Sequence, residues 1–267
     1  MTTLPDLIMV ADRRLRPTPV FDTYWRFAAA RQEAYQARLR GDAGPWTADP
    51  ILATYRFTNC YRAADRVSQY LIKEVIYRGN QDAEEILFRI LLFRFFNRIA
   101  TWELLISALG ELTWARFRLD RYDAVLTQAF SRGERIYTAA YVIPSPNFGR
   151  LRKHTNHLRL LEHMLRGGLH CSLKAGASMR EVFDVLRGYP GIGDFLAFQL
   201  LIDINYSTVI DFDEMDFVVA GPGAGSKLGK AKVNIASEYV LAPGRGSVTL
   251  AFGVKDARKA EKALGRR

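Results

Sequence analysis

The chain has 267 residues, enough for one large helical domain or two packed lobes, and its hydrophobic fraction of 49% is that of an ordinary soluble globular protein. A formal net charge of +10 and a pI of about 9.7 attract polyanions, which makes nucleic acid the first partner to weigh against a basic protein with no such partner. Two cysteines, Cys60 and Cys171, without paired spacing argue against a disulfide framework, no apolar run approaches the ~20 residues of a membrane span, and the N-terminus lacks a signal-peptide layout, so a cytoplasmic protein is expected.

In chain order, prolines at 5, 17 and 19 mark residues 1–19 as an irregular lead-in. A helix is expected over 22–39, then a loop over 41–50 where Gly and Pro cluster. A long helix follows over 50–77, with a break near Thr58. Helical spacing puts Asn59, Arg62, Arg66, Gln69 and Lys73 on one stripe of it, either a solvated face or a strip that tracks phosphates. The next helix, over 81–109, is very apolar, yet Arg94, Asn97, Arg98 and Thr101 recur at i, i+3, i+4 and i+7. Those polar groups must reach an exposed edge or line a cleft, whereas Trp102, Trp114 and Phe117 read as core.

A helix or helix pair is expected over 119–141. The stiff stretch Val142-Ile143-Pro144-Ser145-Pro146 then makes 142–150 the best border between lobes. Tyr141 could stack on an extruded base, although a buried tyrosine is the commoner outcome. A basic amphipathic helix over 150–168 holds His154 and His157 at i, i+3. A shared metal is conceivable there, but no third ligand is evident, and surface histidines are the expectation. Ser178 and Glu181 form a capping box that opens the following helix.

Residues 189–223 organise the rest. A tight turn at Pro190-Gly191-Ile192-Gly193 separates that helix from another, over 195–204, which is apolar on almost every side. Amide N–H groups at its start would favour an anion such as phosphate. Residues 207–212 read as extended, and Asp213 stands where a short helix over 214–219 would be capped. Asp216 is a surface or capping aspartate. Residues 224–230 look superficially like a phosphate loop but lack its spacing. Short strands at 238–241 and 247–254 and a basic tail complete the chain.

Tyr189-Pro190-Gly191-Ile192-Gly193 followed by Asp213 resembles the helix-hairpin-helix DNA glycosylases, whose catalytic aspartate lies at that spacing. Phe195 occupies the place of the Schiff-base lysine of their bifunctional members. A wider set of motifs resembles the α-glutamyl/putrescinyl thymine pyrophosphorylases, which share an all-helical domain with 5-hydroxymethyluracil DNA kinases. These are Tyr55-Arg56-Phe57-Thr58-Asn59, Asp65 to Tyr70, Phe96 to Glu103, Ala140-Tyr141, Asp213-Glu214 and Phe217 to Ala224. The resemblance covers residues 20–228 and leaves 229–267 as a divergent tail. It implies an all-α, two-lobed domain like that of the glycosylases, with a short irregular or β tail and a DNA cleft between lobes.

The activity it implies is displacement of pyrophosphate from the C5 methylene of a modified uracil in duplex DNA, by an amino acid or polyamine. Extruding the base would cost roughly a few kcal/mol. Asp213, or Asp211, would take the proton of the attacking ammonium. Gly191, Gly193, Asn59, Arg62, Arg66, Arg94, Asn97 and Arg98 would hold phosphates, and Tyr141 would face the base. No bound cofactor is expected; a DNA kinase is an expected partner and a membrane is not. Two alternatives stand beside this: a monofunctional glycosylase, and a non-catalytic helical module that presents DNA to a kinase.

Overall fold

Helices without a polar face need an interior, and two stretches of this sequence, 83–96 and 194–205, are of that kind. The computed structural model describes residues 8–10, 13–15, 19–140, 142–214, 216–219, 235–241 and 249–254. The chain divides into two compact units, Met1–Gln69 and Tyr70–Arg267.

In the first unit, β1 (Ile8–Val10) pairs antiparallel with β2 (Arg13–Leu15), Met9 opposite Arg14. The stretch expected to be irregular therefore holds a hairpin, consistent with the β-branched Ile8 and Val10. Helix α1 (Pro19–Arg40) has proline at its first position and ends at Gly41, whose φ of 80° no side chain tolerates well. Helix α2 (Pro50–Thr54) is capped by Asp49, whose carboxylate accepts from the amides of Ile51 and Leu52 at 2.8 and 3.1 Å.

The long helix expected over 50–77 does not form. Tyr55 is extended, and the following loop is tied back onto α1: Cys60 Sγ donates to the Ala28 carbonyl at 3.2 Å, and Arg31 donates to the Thr58 carbonyl. Helical structure returns only as a 3₁₀ turn, Arg62–Ala64, and as α3 (Arg66–Tyr70), which Asp65 caps. Asn59, Arg62, Arg66, Gln69 and Lys73 consequently share no single helical stripe.

The second unit opens with a π-helical segment, Leu71–Ile76, and then builds around α4 (Ala83–Phe96), of which every residue from Glu85 to Phe96 is buried. Helix α4 packs against the π segment, α5 (Ile99–Leu109), α7 (Lys153–Arg166), α8 (Leu169–Ala175) and α10 (Asp194–Asn205). Between them lie α6 (Leu119–Ser131), which packs on α5 and α7, and α9 (Met179–Arg187), which packs on α8 and α10. The C-terminal strands β3 (Ile235–Leu241) and β4 (Thr249–Val254) pair antiparallel, as the tail suggested. The framework is all-α, and no helix among the described residues is long and apolar enough to cross a membrane.

The single helix expected over 81–109 is two. Asn97 adopts a left-handed conformation, φ 49° and ψ 42°, which closes α4, and the extended Arg98 then starts α5. The helix or pair expected over 119–141 stops at Ser131, just before Gly133 with φ 77°. Segment 142–150, read as a border between lobes, lies inside the second unit. It is fastened to α7, where Asn156 donates to the Arg150 carbonyl at 2.9 Å and to Ser145 Oγ at 3.2 Å.

From Glu85 onward, the charged side chains of α4 reach neither an exposed edge nor a cleft. Glu85 accepts from the amides of Trp114 and Ala115 at 2.7 and 3.1 Å, and Arg89 donates to the carbonyls of Val75 and Asn80, both at 2.8 Å. Each thereby satisfies backbone groups that secondary structure leaves open. Trp102 and Phe117 are buried, as expected for core aromatics.

Candidate functional site

The turn between α9 and α10 is set up locally. Ser178 Oγ accepts from the Glu181 amide at 3.3 Å, so the expected N-cap forms, while Glu181 reaches back one residue further than a capping box places it and accepts from the Ala177 amide at 2.9 Å. Helix α9 then buries Met179, Val182, Phe183 and Leu186 on one face. After Gly188 the chain reverses through Gly191, whose φ is 78°. A Cβ on Gly191 would lie 2.8 Å from Pro146 Cα, so glycine is required twice, for its angle and for this approach. Ile192, 4% exposed, anchors the turn from below.

Gly193 is the N-cap residue of α10, exposed, with open space around its Cα. The first turn of α10 already carries a carboxylate: Asp194 is ion-paired with Arg187, both exposed. A phosphate arriving here would meet the amide dipoles together with this pair, a competition that sequence spacing did not register.

Helix α10 holds the next segment in place. Asp203, fully buried, accepts from Arg94 Nη2 at 2.8 Å and Nε at 2.5 Å, while Arg94 Nη1 donates to Asn97 Oδ1 at 2.6 Å. This bidentate pair fixes α10 to the end of α4. Arg94 and Asn97, expected to hold phosphates, are 3% and 6% exposed. Their polar groups serve this internal network, which corrects the assignment. Thr101, on the same expected stripe, is buried and donates to the Ile136 carbonyl at 2.8 Å. Arg98 alone of the four is only half-buried.

Past α10, Asn205 and Phe212 exchange two hydrogen bonds, Nδ2 to the Phe212 carbonyl and the Phe212 amide to Oδ1, each 2.9 Å. Val209 and Ile210 are buried beneath this bridge. Asp211 and Asp213 flank the locked Phe212, and both are exposed. No helix follows over the described part of 214–219. Instead the Asp216 amide bonds the Asp213 carbonyl at 3.0 Å in a turn, and Phe217 returns to the interior against Phe183 and Phe198, 5.2 and 6.2 Å between ring centroids. Asp213 therefore caps no helix; it rides a short loop fastened at both ends. Asp216 is exposed.

In the first unit, Asn59 Nδ2 donates to the Ala64 carbonyl at 2.6 Å, Arg62 is half-buried and Arg66 is exposed. Tyr141 and the glycine-rich stretch 224–230 lie outside the described residues.

One cluster escaped the sequence reading. His154 and His157, expected on the surface, are 2% and 1% exposed, because the apolar side of α7 carries them inward with Leu158 and Leu161. His157 Nε2 faces the Pro144 carbonyl at 2.9 Å and must donate to it, so Nδ1 accepts from the Tyr137 hydroxyl at 2.8 Å. Burial lowers its pKa to about 4, and Lys153 adds to the fall. The Lys153 ammonium stands 4.2 Å from the Tyr137 ring centroid, its own pKa lowered by burial. A second signal was available and unused: Asp203 sits among Leu200, Leu201, Ile202 and Ile204, and a carboxylate in such a run demands a buried cation.

Residues 18–240 match the family model described as the helical domain of 5-hmdU DNA kinases, and the chain belongs to that family. The 5-hmdU DNA kinase of Bacillus phage SP10 is 29% identical to it over 242 residues, a stretch that covers 81% of this chain and 37% of that protein. The chain thus spans little more than a third of that relative's length. No solved structure matches.

Proposed function

We propose that the protein works in thymine hypermodification of DNA, transferring an amino acid or polyamine onto pyrophosphorylated 5-hydroxymethyluracil with release of pyrophosphate. The observation that carries this reading is the pinned loop: Asp213 is exposed while Phe212 and Phe217 on either side are held, which suits a base that must meet a substrate at a fixed place. Asp211 serves in the same loop. Gly191 shapes the turn, and the amides at Gly193 receive a DNA phosphate there. The family resemblance makes Asn59, Arg62 and Arg66 in the first unit, and separately Arg98 in the second, candidates for offsetting phosphate charge, and Tyr141 a candidate for stacking on the base. Family membership and the net charge of +10 support DNA as the substrate.

Nucleoside mass spectrometry on DNA carrying the activated base, incubated with protein and an amine, tests it. Amine-dependent pyrophosphate release is expected, and it should fall at least about 100-fold in Asp213→Ala of unchanged fold. Full activity in that variant would remove Asp213 from the mechanism. Free base and abasic sites would point instead to a glycosylase.

A second reading has its own support. The relative is a DNA kinase of which this stretch covers 37%, and a helical module that presents DNA to a kinase would match such a part. DNA binding with no product under any amine or nucleotide condition would favour it.

A further inference from the structure

The two cysteines have opposite surroundings. Both are exposed, so access alone does not distinguish them. Cys60 Sγ donates to the Ala28 carbonyl oxygen at 3.2 Å and has no base beside it in that contact. Cys171 Sγ lies 3.1 Å from His170 Nε2, a group that can take its proton. On the far side of that imidazole, Nδ1 is 3.3 Å from Glu84 Oε1. Helix α8 supplies the cysteine and the histidine, and the packed N-terminal turn of α4 supplies the glutamate.

The order sulfur, imidazole, carboxylate is the arrangement that activates a nucleophile. The carboxylate favours the tautomer with hydrogen on Nδ1, which leaves Nε2 free to accept from sulfur, and it stabilises the imidazolium that results. His170 Nδ1 is a buried atom without a well-aligned hydrogen bond, and Glu84 Oε1 is the acidic oxygen that faces it.

We infer that Cys171 is a selectively reactive thiol, activated by His170 and Glu84, and that it is a site of S-thiolation by small disulfides. Sulfur attacks one sulfur of the disulfide as its proton passes to His170 Nε2. The new S–S bond forms, the old one breaks, and the departing thiolate takes up a proton from the imidazolium or solvent. No net oxidant is consumed beyond the disulfide itself.

The test is the rate of reaction of the full-length, reduced protein with dithiobis(nitrobenzoate), followed by release of the coloured thiolate, with Cys60→Ser and Cys171→Ser assigning each phase. Cys171 is expected to react about tenfold or more faster than Cys60. His170→Ala should bring it down to the Cys60 rate, and Glu84→Gln should slow it by a smaller factor. Circular dichroism checks that each variant is folded. Should His170→Ala fail to fold, the wild-type ratio and Glu84→Gln decide the matter. Equal rates at the two cysteines would overturn the inference, as would a Cys171 rate unmoved by Glu84→Gln and His170→Ala.

Discussion

Helix α4 and the loop 205–217 both place charge beside an apolar core, and they do opposite things with it. On α4, Glu85, Arg89 and Arg94 are turned inward and bound by backbone amides, backbone carbonyls and Asp203. In the loop, the backbone is held by Asn205 and by the packing of Phe217, and Asp211 and Asp213 are exposed. Where the polar groups of a side chain are used up by the framework, it supports; where the backbone is held and the side chain is exposed, it can serve a substrate.

The contrast is sharpened most by Asp203→Ala. Removing one member of a buried pair leaves Arg94 uncompensated, and a loss of about 3–5 kcal/mol in urea unfolding is expected. The double variant Arg94→Met with Asp203→Leu should recover most of that loss; failure to recover would mean the pair does more than compensate itself. Next comes His157. Its pKa is about 4 in the folded chain and 6.5 ordinarily, so the unfolded state binds the extra proton. Stability from its neutral form is complete above pH 6.5 and is lost as pH falls toward 4, on the order of 3 kcal/mol in all. The stability difference between the wild type and His157→Gln should narrow across that window in thermal melts, and a constant difference would contradict the buried neutral tautomer.

Smaller effects probe the loop side. Gly191→Ala is expected to cost about 1–3 kcal/mol, from its positive φ and the approach to Pro146. Asn205→Ala removes two hydrogen bonds, worth about 1–2 kcal/mol together, and should lower product formation with Asp213 still present. Asp213→Asn should change stability by less than about 0.5 kcal/mol while abolishing turnover. A large loss of stability there would mean that Asp213 belongs with the framework rather than with the loop's exposed groups.

Much of this was legible from residue types in series. The all-α framework, the Ser178–Glu181 cap, the turn at Gly191 and the C-terminal strands follow from local rules that act within a few residues. The stripes of arginine were misjudged because periodicity presumes an unbroken helix. Helices stop at Tyr55 and Asn97 for reasons lying elsewhere, in tertiary ties to α1 and in a network closed by Asp203 from a distant helix. His154 and His157 look like surface residues in a basic stretch, and only the placement of Thr127, Tyr137 and Pro144 shows what receives them. Asp213 was singled out by its spacing from the turn, whereas Asn205, which holds the neighbouring Phe212, carried no signal of its own.

The contact of Gly191 with Pro146 has a mechanical corollary. With no side chain between them, the α9–α10 bend and the proline segment behave as one stiff hinge-plate, riveted to α7 through Asn156 and His157. A tug on the bend is then felt along α7, and a substitution at residue 145 or 146 would be felt at the α9–α10 turn.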